Sequence, residues 1–364
     1  MKVLVYLALS SHGYGHAARQ AAVVSALHAL HPLWRFVVSS KVDPAFLKLV
    51  FAGLPVLFRQ LRWDVGMVQA DALHCDEQAT LMALRTLEHH LPEQIDEEAR
   101  WIRAQGLPVV VLGDIPPAIS TLARRIHAPL VWMGNFGWDD IYSPLGRAFQ
   151  PHCLEAREAY ASGDRLLRMP FDLAMDWGVP ERSIGLISAQ PRPVPLDFQH
   201  CLSSLQTRLV FVGFGGLGLS IDPRLFDLWP DHHFLMAPPS DPRHADNLRA
   251  ITNVTLLPAG VRPVDVMPMC ERLLGKPGFS TFSEALSAGL GLHVVEREGF
   301  AEARALMQGL RRHGCHRLLS ARGFAEGDWQ LNQPLIPSTE SPLPANGAEV
   351  AALEISRLVM RGSA

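Results

Sequence analysis

Short apolar runs bounded by turn residues recur along the first half of the chain. Segments with helical spacing lie between several of these runs, among them Ala17–Leu30 and Leu81–Gln105. Runs that are apolar at every position indicate strands buried on both faces, and strands that alternate with helices are typical of a parallel sheet. The sequence predicts such strands at Val3–Leu9, Trp34–Val38, Val56–Phe58, Val109–Leu112 and Leu130–Met133.

A second series of the same kind begins near residue 184. Its predicted strands are Leu209–Val212, His233–Ala237, Val254–Leu257, Arg272–Leu274 and His293–Val295. The pattern therefore predicts an α/β protein with two doubly wound, Rossmann-like domains in tandem. The length of 364 residues agrees with this, since a single core rarely serves a chain of that size.

A proline-rich stretch separates the two series. Met169–Pro193 leads into the run Gln190–Pro195, whose fixed proline dihedrals suit a semi-rigid connector. We therefore predict an N-terminal domain over residues 1–185 and a C-terminal domain over residues 186–345. After a second proline-rich break, residues 346–364 are predicted to hold a helix with room to pack on either domain, including back on the N-terminal one.

The charge balance bears on the class of binding partner, and the cysteines bear on the cellular compartment. Lys and Arg total 33 against 36 acidic residues, a formal net charge of -3, so no basic surface suggests a nucleic-acid partner. The five cysteines are scattered and form no Cys-x-x-Cys pair, which is typical of reduced thiols in the cytoplasm. No signal peptide or apolar stretch of ~18 residues is apparent, so we expect no transmembrane segment, while peripheral membrane contact stays open.

The loop after the first predicted strand carries glycines and histidines. It reads Ser-Ser-His-Gly-Tyr-Gly-His over residues 10–16. Gly13 and Gly15 allow a tight turn and a close backbone approach to a ligand, and His16 stands at a helix start, from which an imidazole can reach a substrate. Two alternatives stay open: the glycines only turn the chain while His16 caps or packs, or His12 and His16 bind a metal, for which no third ligand is evident.

The stretch Gly275–Leu286 offers a more specific signal at the end of another strand. Its turn leads into a helix at Ser280, where the hydroxyls of Ser280 and Thr281 stand beside unpaired amides at the positive end of the helix dipole. Such a position suits a phosphate or diphosphate. Glu284 lies one turn further on and can accept hydrogen bonds from a sugar diol. The alternative is a capped amphipathic helix with Glu284 as an ordinary first-turn acid.

At these residues the sequence resembles the GT-B nucleotide-sugar glycosyltransferases. The segment GKPGFSTFSEALSAG, residues 275–289, is similar to the donor-binding signature of the bacterial peptidoglycan N-acetylglucosaminyltransferase and the plant UDP-sugar transferases. The resemblance implies that Ser280 and Thr281 contact the diphosphate and that Glu284 holds the ribose. It also implies two Rossmann-like domains that face each other across a cleft. The loop at residues 10–19 is similar to the Gly-x-Gly-His loop of the same group.

A closer similarity is to the glycosyltransferase-like region ahead of the kinase domain in L-arabinokinase-type proteins. The comparable segments are HGYGHAAR at residues 12–19, NFGWDDIY at 135–142 and GKPGFSTFSEAL at 275–286. No sugar-kinase glycine-rich motif follows, so arabinokinase activity is not implied. Where the plant signature has a proline and later an Asp-Gln pair that contacts the donor sugar, this chain has Gly291 and Glu302, and Glu302 is the candidate replacement for part of that contact.

Transfer from a nucleotide sugar requires stabilisation of the leaving diphosphate and removal of a proton from the acceptor hydroxyl. The diphosphate can be stabilised without a metal by the helix start at Ser280 and by the amides of Gly215 and Gly216. These two glycines lie in a glycine-rich loop after another predicted strand. A histidine that titrates near neutrality suits the second. We therefore predict His16 as the general base of an inverting displacement, with the nucleotide sugar as co-substrate and no other cofactor.

The segment at residues 134–146 supplies a competing base. Its turn puts Asn135, Trp138 and Asp139 at the edge of the first domain, where acceptors bind in GT-B enzymes. Asp139 could act as the base itself or orient His16. The alternative is that it caps a helix near Asp140 while Trp138 packs in the core.

Four further residues of the first domain have functional or structural interpretations. Gly13 and Gly15 are assigned to the acceptor side, in the loop before His16. Asp114 follows a strand and precedes prolines, which is common at an ordinary helix start. Arg19, one turn into its helix, meets a phosphate, pairs with an acid, or has a solvated or structural role.

The leading hypothesis is a glycosyltransferase that moves a sugar from a UDP-sugar to a small-molecule, lipid or glycan acceptor. The alternative is a non-catalytic nucleotide-sugar-binding or regulatory module, suggested by the kinase-linked relatives. A third reading, epimerisation of a UDP-sugar, needs acidic and basic groups at the sugar that the sequence does not identify.

Overall fold

The computed structural model describes residues 2–68, 75–214, 221–239, 241–296 and 300–361. Within these residues the N-terminal half contains the strands β1 (Leu4–Leu9), β2 (Arg35–Ser39), β3 (Val56–Arg59), β4 (Val109–Asp114), β5 (Leu130–Gly134), β6 (Arg165–Arg168) and β7 (Glu181–Ser183). They form one parallel sheet in the order β3-β2-β1-β4-β5-β6-β7.

The C-terminal half repeats this arrangement. Its described strands are β8 (Arg208–Gly213), β9 (His232–Met236), β10 (Val254–Leu256), β11 (Arg272–Gly275), β12 (Gly291–Val295) and β13 (His316–Leu319). They form a second parallel sheet in the order β10-β9-β8-β11-β12-β13. The prediction of two doubly wound, Rossmann-like domains is confirmed.

Helices connect the strands, as parallel pairing requires. In chain order the described α-helices are α1 (Tyr14–Leu30), α2 (Pro44–Val50), α3 (Glu77–Ala104), α4 (Ile119–Ile126), α5 (Trp138–Tyr142), α6 (Gln150–Ala161), α7 (Leu196–Ser204), α8 (Pro242–Arg249), α9 (Pro263–Val266), α10 (Phe279–Ser287), α11 (Ala301–His313), α12 (Ala321–Ala325) and α13 (Gly347–Arg361).

The central strands β1 and β5 form where the continuous apolar runs predict strands buried on both faces. Every residue of β1 and of β5 is buried, because helices cover both faces of the sheet. The last two strands of the sheet lack this signal: β6 reads Arg-Leu-Leu-Arg, and the edge strand β7 is exposed throughout. Hydrogen bonding to a neighbouring strand defines them, and the apolar pattern alone did not predict them.

The two domains share one buried apolar cluster. It runs from Val5 and Leu7 in β1, through α1, to Phe279 and Phe282 in α10 and Leu273 in β11. The strand order and the helix packing thus place the first turns of α1 and α10 on the same side of this cluster.

The linker and the last helix tie the halves together. Ser283 in α10 donates its hydroxyl to the carbonyl of Ile187 at 2.8 Å and accepts from the Ile187 N–H at 2.7 Å. The helix α13 packs against α1, and a hydrogen bond of 2.8 Å joins His31 to Ser356. The chain therefore returns to the first domain after completing the second.

Among the described residues, no helix has the length and apolar character needed to cross a membrane.

Candidate active site

Each sheet reverses its strand order at one point, and the two points meet. In the first sheet β1 and β4 are central neighbours, and β8 and β11 have the same relation in the second. Open α/β sheets bind ligands beyond the carboxyl ends of their strands at such switch points. The chain leaves β1 into α1 and β11 into α10, and across the cleft the hydroxyl of Ser280 donates to the carbonyl of Gly15 at 2.8 Å.

His16 lies in the first turn of α1 and faces the end of β4. Its Nδ1 is 2.8 Å from Oδ1 of Asp114, the last residue of β4. The strand register pairs Leu9 with Asp114, so the carboxylate stands beside the exit of the chain from β1. When Nδ1 carries the proton that Asp114 accepts, Nε2 is the unprotonated nitrogen. This is how a carboxylate orients a catalytic imidazole.

Arg19, one turn further along α1, binds the same carboxylate. Its Nε donates to Oδ2 of Asp114 at 2.8 Å, one terminal nitrogen donates to Oδ1, and Gln20 also donates to Oδ2 at 2.8 Å. Burial opposes the ionisation of Asp114, but the charges of Arg19 and His16 outweigh it and hold the pKa of this carboxyl well below its usual range. Asp114 is therefore an ionised group whose charge is balanced inside the protein.

The network continues into the second domain. Arg19 donates to Oδ1 of Asn135 at 3.3 Å, and Nδ2 of Asn135 donates to Oε1 of Glu302 at 2.9 Å. Asn135 is fully buried, and Glu302, in the first turn of α11, is 9% exposed. The structure thus brings together a residue predicted on the acceptor side and one predicted on the donor side.

The second switch point is built from glycines and from the start of α10. The register pairs Gly213 at the end of β8 with Gly275 at the end of β11, and a Cβ on Gly275 would lie 2.4 Å from the Gly213 carbonyl oxygen. The strands can approach this closely only because residue 275 has no side chain. Thr281 is half-buried against Gly213, and Ser280 is 8% exposed.

Glu284 lies in α10, one turn beyond Ser280. Its side chain is half-buried, and in the part of the chain that the structure describes its carboxylate makes no hydrogen bond. Burial raises the pKa of Glu284 to about 7; the nearby Arg262 lowers it and Asp265 raises it further. A carboxylate left in this state can accept hydrogen bonds from a bound diol.

No protein-family model matches the chain. Among curated proteins, the L-arabinokinase of Arabidopsis thaliana is 26% identical over 362 residues, a match that covers 94% of this chain and 33% of that protein. The chain thus spans about a third of the length of this relative.

Solved structures match over nearly the whole chain. A UDP-glucosyltransferase from Polygonum tinctorium gives a TM-score of 0.60 at 16% identity, and the match covers 99% of this chain and 94% of that one. The Arabidopsis thaliana protein UGT89C1, solved with UDP-L-rhamnose, gives a TM-score of 0.57 at 12% identity, covering 98% and 94%. The chain has the GT-B fold. The predicted likeness to GT-B glycosyltransferases and to L-arabinokinase-type proteins is thereby confirmed.

In the GT-B cleft Asp139 does not stand beside His16. Its half-buried carboxylate accepts from the indole nitrogen of Trp177 at 3.1 Å. Burial, followed by repulsion from Asp140, raises the pKa of Asp139 to about 6. The structure brings Asp114, not Asp139, to His16, and a direct role for Asp139 as base stays a prediction.

Asp140 and Gly137 start the helix that carries Asp139. Gly137 is the N-cap of α5, and its N–H donates to the Asp140 carboxylate at 3.3 Å. Capping thus falls to neighbours of Asp139.

The interpretation of Asp114 as an ordinary helix start is wrong, because Asp114 ends β4 and α4 begins only at Ile119.

Aromatic side chains line the GT-B cleft around His12. The imidazole stacks on Phe300 with ring centroids 5.7 Å apart and meets the edge of Trp138 at 5.4 Å. Its Nδ1 accepts from the N–H of Met67 at 3.2 Å, so this nitrogen is unavailable as a metal ligand without loss of that bond. Trp138 is 1% exposed and therefore also packs in the core, as the alternative for that residue expects.

Asp64 is a buried residue of this region that sequence reasoning missed. It follows Trp63 in a segment without motif or regular spacing, so only the fold brings it to the cleft. The indole N–H of Trp138 donates to its Oδ2 at 2.9 Å. Burial raises the pKa of Asp64, and Ser10, His16 and Trp138 offset this in part.

The remaining predicted residues are the glycines. Gly13 is the N-cap of α1, and no atom lies within 4 Å of the position that a Cβ would take there. A Cβ on Gly15 would lie 2.9 Å from the Ser280 hydroxyl oxygen, so Gly15 allows the two helix starts to approach. Gly215 and Gly216 lie outside the described residues.

Proposed function

We propose that this protein is a glycosyltransferase that moves a sugar from a UDP-sugar to an acceptor hydroxyl with inversion at the anomeric carbon. The observation that carries the proposal is the meeting of the starts of α1 and α10 at the two switch points. An oriented His16–Asp114 pair stands on one side, and on the other stands Glu284, whose carboxylate has no hydrogen-bond partner among the described residues.

On the acceptor side, Nε2 of His16 removes the proton of the attacking hydroxyl. The acceptor oxygen forms the new bond to the anomeric carbon while the bond to the diphosphate oxygen breaks, and the electron pair leaves with the diphosphate. Asp114 keeps the imidazole in the required tautomer and stabilises the imidazolium that forms. Buried Asp114 is held rigidly for this role by Arg19 and Gln20.

On the donor side, the free amides at the start of α10 bind the diphosphate, with help from Thr281. The Ser280 hydroxyl donates to Gly15 across the closed cleft and turns to a phosphate oxygen when the donor enters. The Glu284 carboxylate accepts both hydroxyls of the ribose, and Glu302 with Asn135 contacts the sugar. The amides and hydroxyls at the start of α10 stabilise the leaving diphosphate directly, so no step of this mechanism calls for a metal.

The names of the relatives support a nucleotide-sugar donor. One solved relative is a UDP-glucosyltransferase, and the other was solved with UDP-L-rhamnose. The acceptor class stays open between a small molecule, a lipid and a glycan, because acceptor pockets are built from loops that vary within a fold.

The test is a thermal-shift screen against nucleotides and UDP-sugars, followed by an assay of UDP release with acceptor pools. We expect UDP and at least one UDP-sugar to raise Tm, since selective binding stabilises the native state. We also expect acceptor-dependent release of UDP, which Glu284→Ala should lower strongly when the donor is below saturation. Absence of both nucleotide binding and turnover would contradict the proposal.

A second candidate, a non-catalytic nucleotide-sugar-binding module, is favoured by one observation. Arg19 donates to both oxygens of Asp114, and one of its terminal nitrogens lies 3.0 Å from Nδ1 of His16. A guanidinium in that position neutralises the carboxylate that would otherwise stabilise an imidazolium. UDP-sugar binding by calorimetry, with no turnover in the wild type or in Arg19→Met, would support this candidate over the enzyme.

A further inference from the structure

A row of basic side chains lies on one face of the second sheet, near the ends at which its strands begin. Paired residues of parallel strands point to the same face, and so do residues two apart on one strand. The strand register therefore places on a single face the side chains of Arg208, His232, Arg272, His293 and Arg317. This row is at the opposite end of the sheet from the start of α10.

Residues 320–336, called here the covering segment, lie over this row. Trp329 is fully buried, and its carbonyl accepts from Nδ1 of His293 at 2.9 Å. A Cβ on Gly291 would lie 2.2 Å from a methyl carbon of Leu335, so this leucine rests directly on the strand between the basic side chains. The covering segment thus closes the row off from water.

The two imidazoles of the row have no acceptor for a further proton. His232 is 1% exposed and His293 is 0% exposed. Both ring nitrogens of His232 and Nε2 of His293 are buried without a hydrogen-bond partner in the part of the chain that the structure describes. Since Nδ1 of His293 already donates to the Trp329 carbonyl, a second proton would go to Nε2. Protonation would therefore bury a charged N–H without a partner, which is strongly unfavourable.

The groups that face His293 from the neighbouring strands oppose its protonation. Burial lowers the pKa of His293 to about 4. The charges of Arg272 on β11 and Arg317 on β13 act in the same direction, and so does His232. The hydrogen bond to the Trp329 carbonyl acts in the opposite direction. His293 is thus held neutral between two guanidinium groups.

The surroundings of His232 have the same effect. Burial lowers its pKa, and the charge of Arg208 on β8 adds to this, as does that of Arg272. Asp231 and Glu271 act in the opposite direction, but both are exposed, so water screens them. The closed domain therefore keeps both imidazoles neutral at a pH where exposed histidines take up protons.

We propose that His232 and His293 form an acid-sensitive latch that releases the covering segment from the second sheet when both imidazoles take up protons. The open state binds these protons because water then solvates the rings. The closed state binds fewer, so its stability falls as pH falls below the ordinary histidine range. Phe324 of the covering segment packs on Phe214 with ring centroids 5.2 Å apart, so release uncovers apolar surface of the second domain. The latch does not depend on turnover of a UDP-sugar.

The test is peptide-resolved hydrogen exchange of the full chain at pH 7.5 and pH 5.0, with rates corrected for the pH dependence of chemical exchange. An exposed histidine has a pKa of about 6.5, so going to pH 5.0 crosses about 1.5 units of the window in which the open state binds more protons. The opening constant of the covering segment should rise about thirtyfold from His293 alone, and further when His232 contributes. Peptides of α4 in the first domain are the internal reference.

The double variant His232→Phe with His293→Asn removes both titrating groups. Asparagine offers an amide N–H to the Trp329 carbonyl, and phenylalanine keeps a ring against the edge of Trp229. Its covering segment should exchange at nearly the same corrected rate at both pH values. The matched control is His200→Asn, a change at an exposed histidine of α7, which should keep the wild-type response.

A second measurement covers the case in which the double variant does not fold. Histidine titration of the wild type by NMR should show both buried imidazoles taking up protons at lower pH than the exposed His200. Titration of His232 and His293 together with His200 would overturn the proposal. So would a corrected exchange rate of the covering segment that is equal at the two pH values in the wild type, or an acid response that persists in the double variant.

Discussion

The two switch points have the same topology but opposite chemistry. At the first, the side chains of His16, Arg19 and Asp114 are buried and bound to one another. At the second, the elements are backbone amides, hydroxyls and glycines, and Glu284 makes no hydrogen bond within the described residues. The first site balances its own charges. The second leaves the Glu284 carboxylate available to a ligand.

The difference agrees with what each half would have to do in the proposed transfer reaction. A general base needs a fixed tautomer and position, which a buried ion network provides. A donor site must accept and release an anion and a diol, so fixed internal partners would compete with the ligand. We therefore expect substitutions in the buried ion network to cause large losses of activity or stability. Substitutions at the donor site should cause smaller losses, mainly of ligand affinity.

The largest effect is expected at the base. His16→Ala should lower kcat for transfer by about 10²–10⁴-fold, the usual contribution of general base catalysis, while Kd for UDP changes less than about twofold. Single-turnover kinetics and calorimetry measure the two quantities. His89→Gln, a change at an exposed histidine of α3, is the matched control. If Asp139→Asn proves more damaging than His16→Ala, Asp139 is the base instead.

Next in size is the loss of the buried ion pair. Asp114→Asn leaves Arg19 charged and unpaired at 3% exposure, so the free energy of unfolding should fall by about 3–5 kcal/mol. Urea denaturation measures it. Asp246→Asn breaks an exposed pair with Arg249 and should cost at most about 1 kcal/mol. Adding Arg19→Met to Asp114→Asn should restore part of the loss; no restoration would mean that charge balance is not the cause.

The third effect lies at the open site. Glu284→Gln should weaken UDP binding by about 10–100-fold, because charge-assisted hydrogen bonds to the diol are worth about 1.5–3 kcal/mol. It should not lower folding stability, since the carboxylate has no described partner to lose and burial disfavours its charge. Calorimetry with UDP and with inorganic pyrophosphate separates ribose from phosphate contacts. Equal weakening for both ligands would remove Glu284 from the ribose.

The contrast between the sites also explains what the sequence could predict. Both sheets, their tandem order and the starts of α1 and α10 follow from apolar runs and glycine-rich turns, which are local signals. Asp114 and Asp64 become neighbours of the loop after β1 only through strand register and long-range packing. Local patterns carry no information on such contacts, so the sequence left open whether Asp139 orients His16 and did not identify Asp114 as the partner.

A smaller effect concerns pH. Burial raises the pKa of Glu284 to about 7, so its carboxylate is largely protonated below that pH and loses acceptor strength. Since about a tenth of the group is ionised one pH unit below its pKa, UDP-glucose should bind up to about tenfold more weakly at pH 6 than at pH 8. The Glu284→Gln variant should show a flat profile over the same range. An identical slope in both proteins would assign the pH dependence to another group.

The smallest effect tests the contact between the two sites. Alanine at position 15 gains about 0.5–1 kcal/mol in helix propensity, but its Cβ would lie 2.9 Å from the Ser280 hydroxyl oxygen, and overpacking of this kind costs about 1–3 kcal/mol. Gly15→Ala should therefore lower the free energy of unfolding by about 1 kcal/mol in the wild type. In a Ser280→Ala background the hydroxyl is gone and only the Cβ of residue 280, at 3.3 Å, still crowds the new methyl group, so the same change should cost clearly less.

Gly13→Ala is the matched control, because a Cβ there meets nothing within 4 Å and the backbone is extended at φ -164°. Its cost should be the same in both backgrounds, since it reflects only the loss of a glycine N-cap. A smaller cost in the Ser280→Ala background at position 15, with no change at position 13, locates the energetic contact between the domains at the Ser280 hydroxyl. Parallel behaviour of the two glycines would mean that the starts of α1 and α10 stand further apart in solution, and that the base and the donor site meet only after the donor binds.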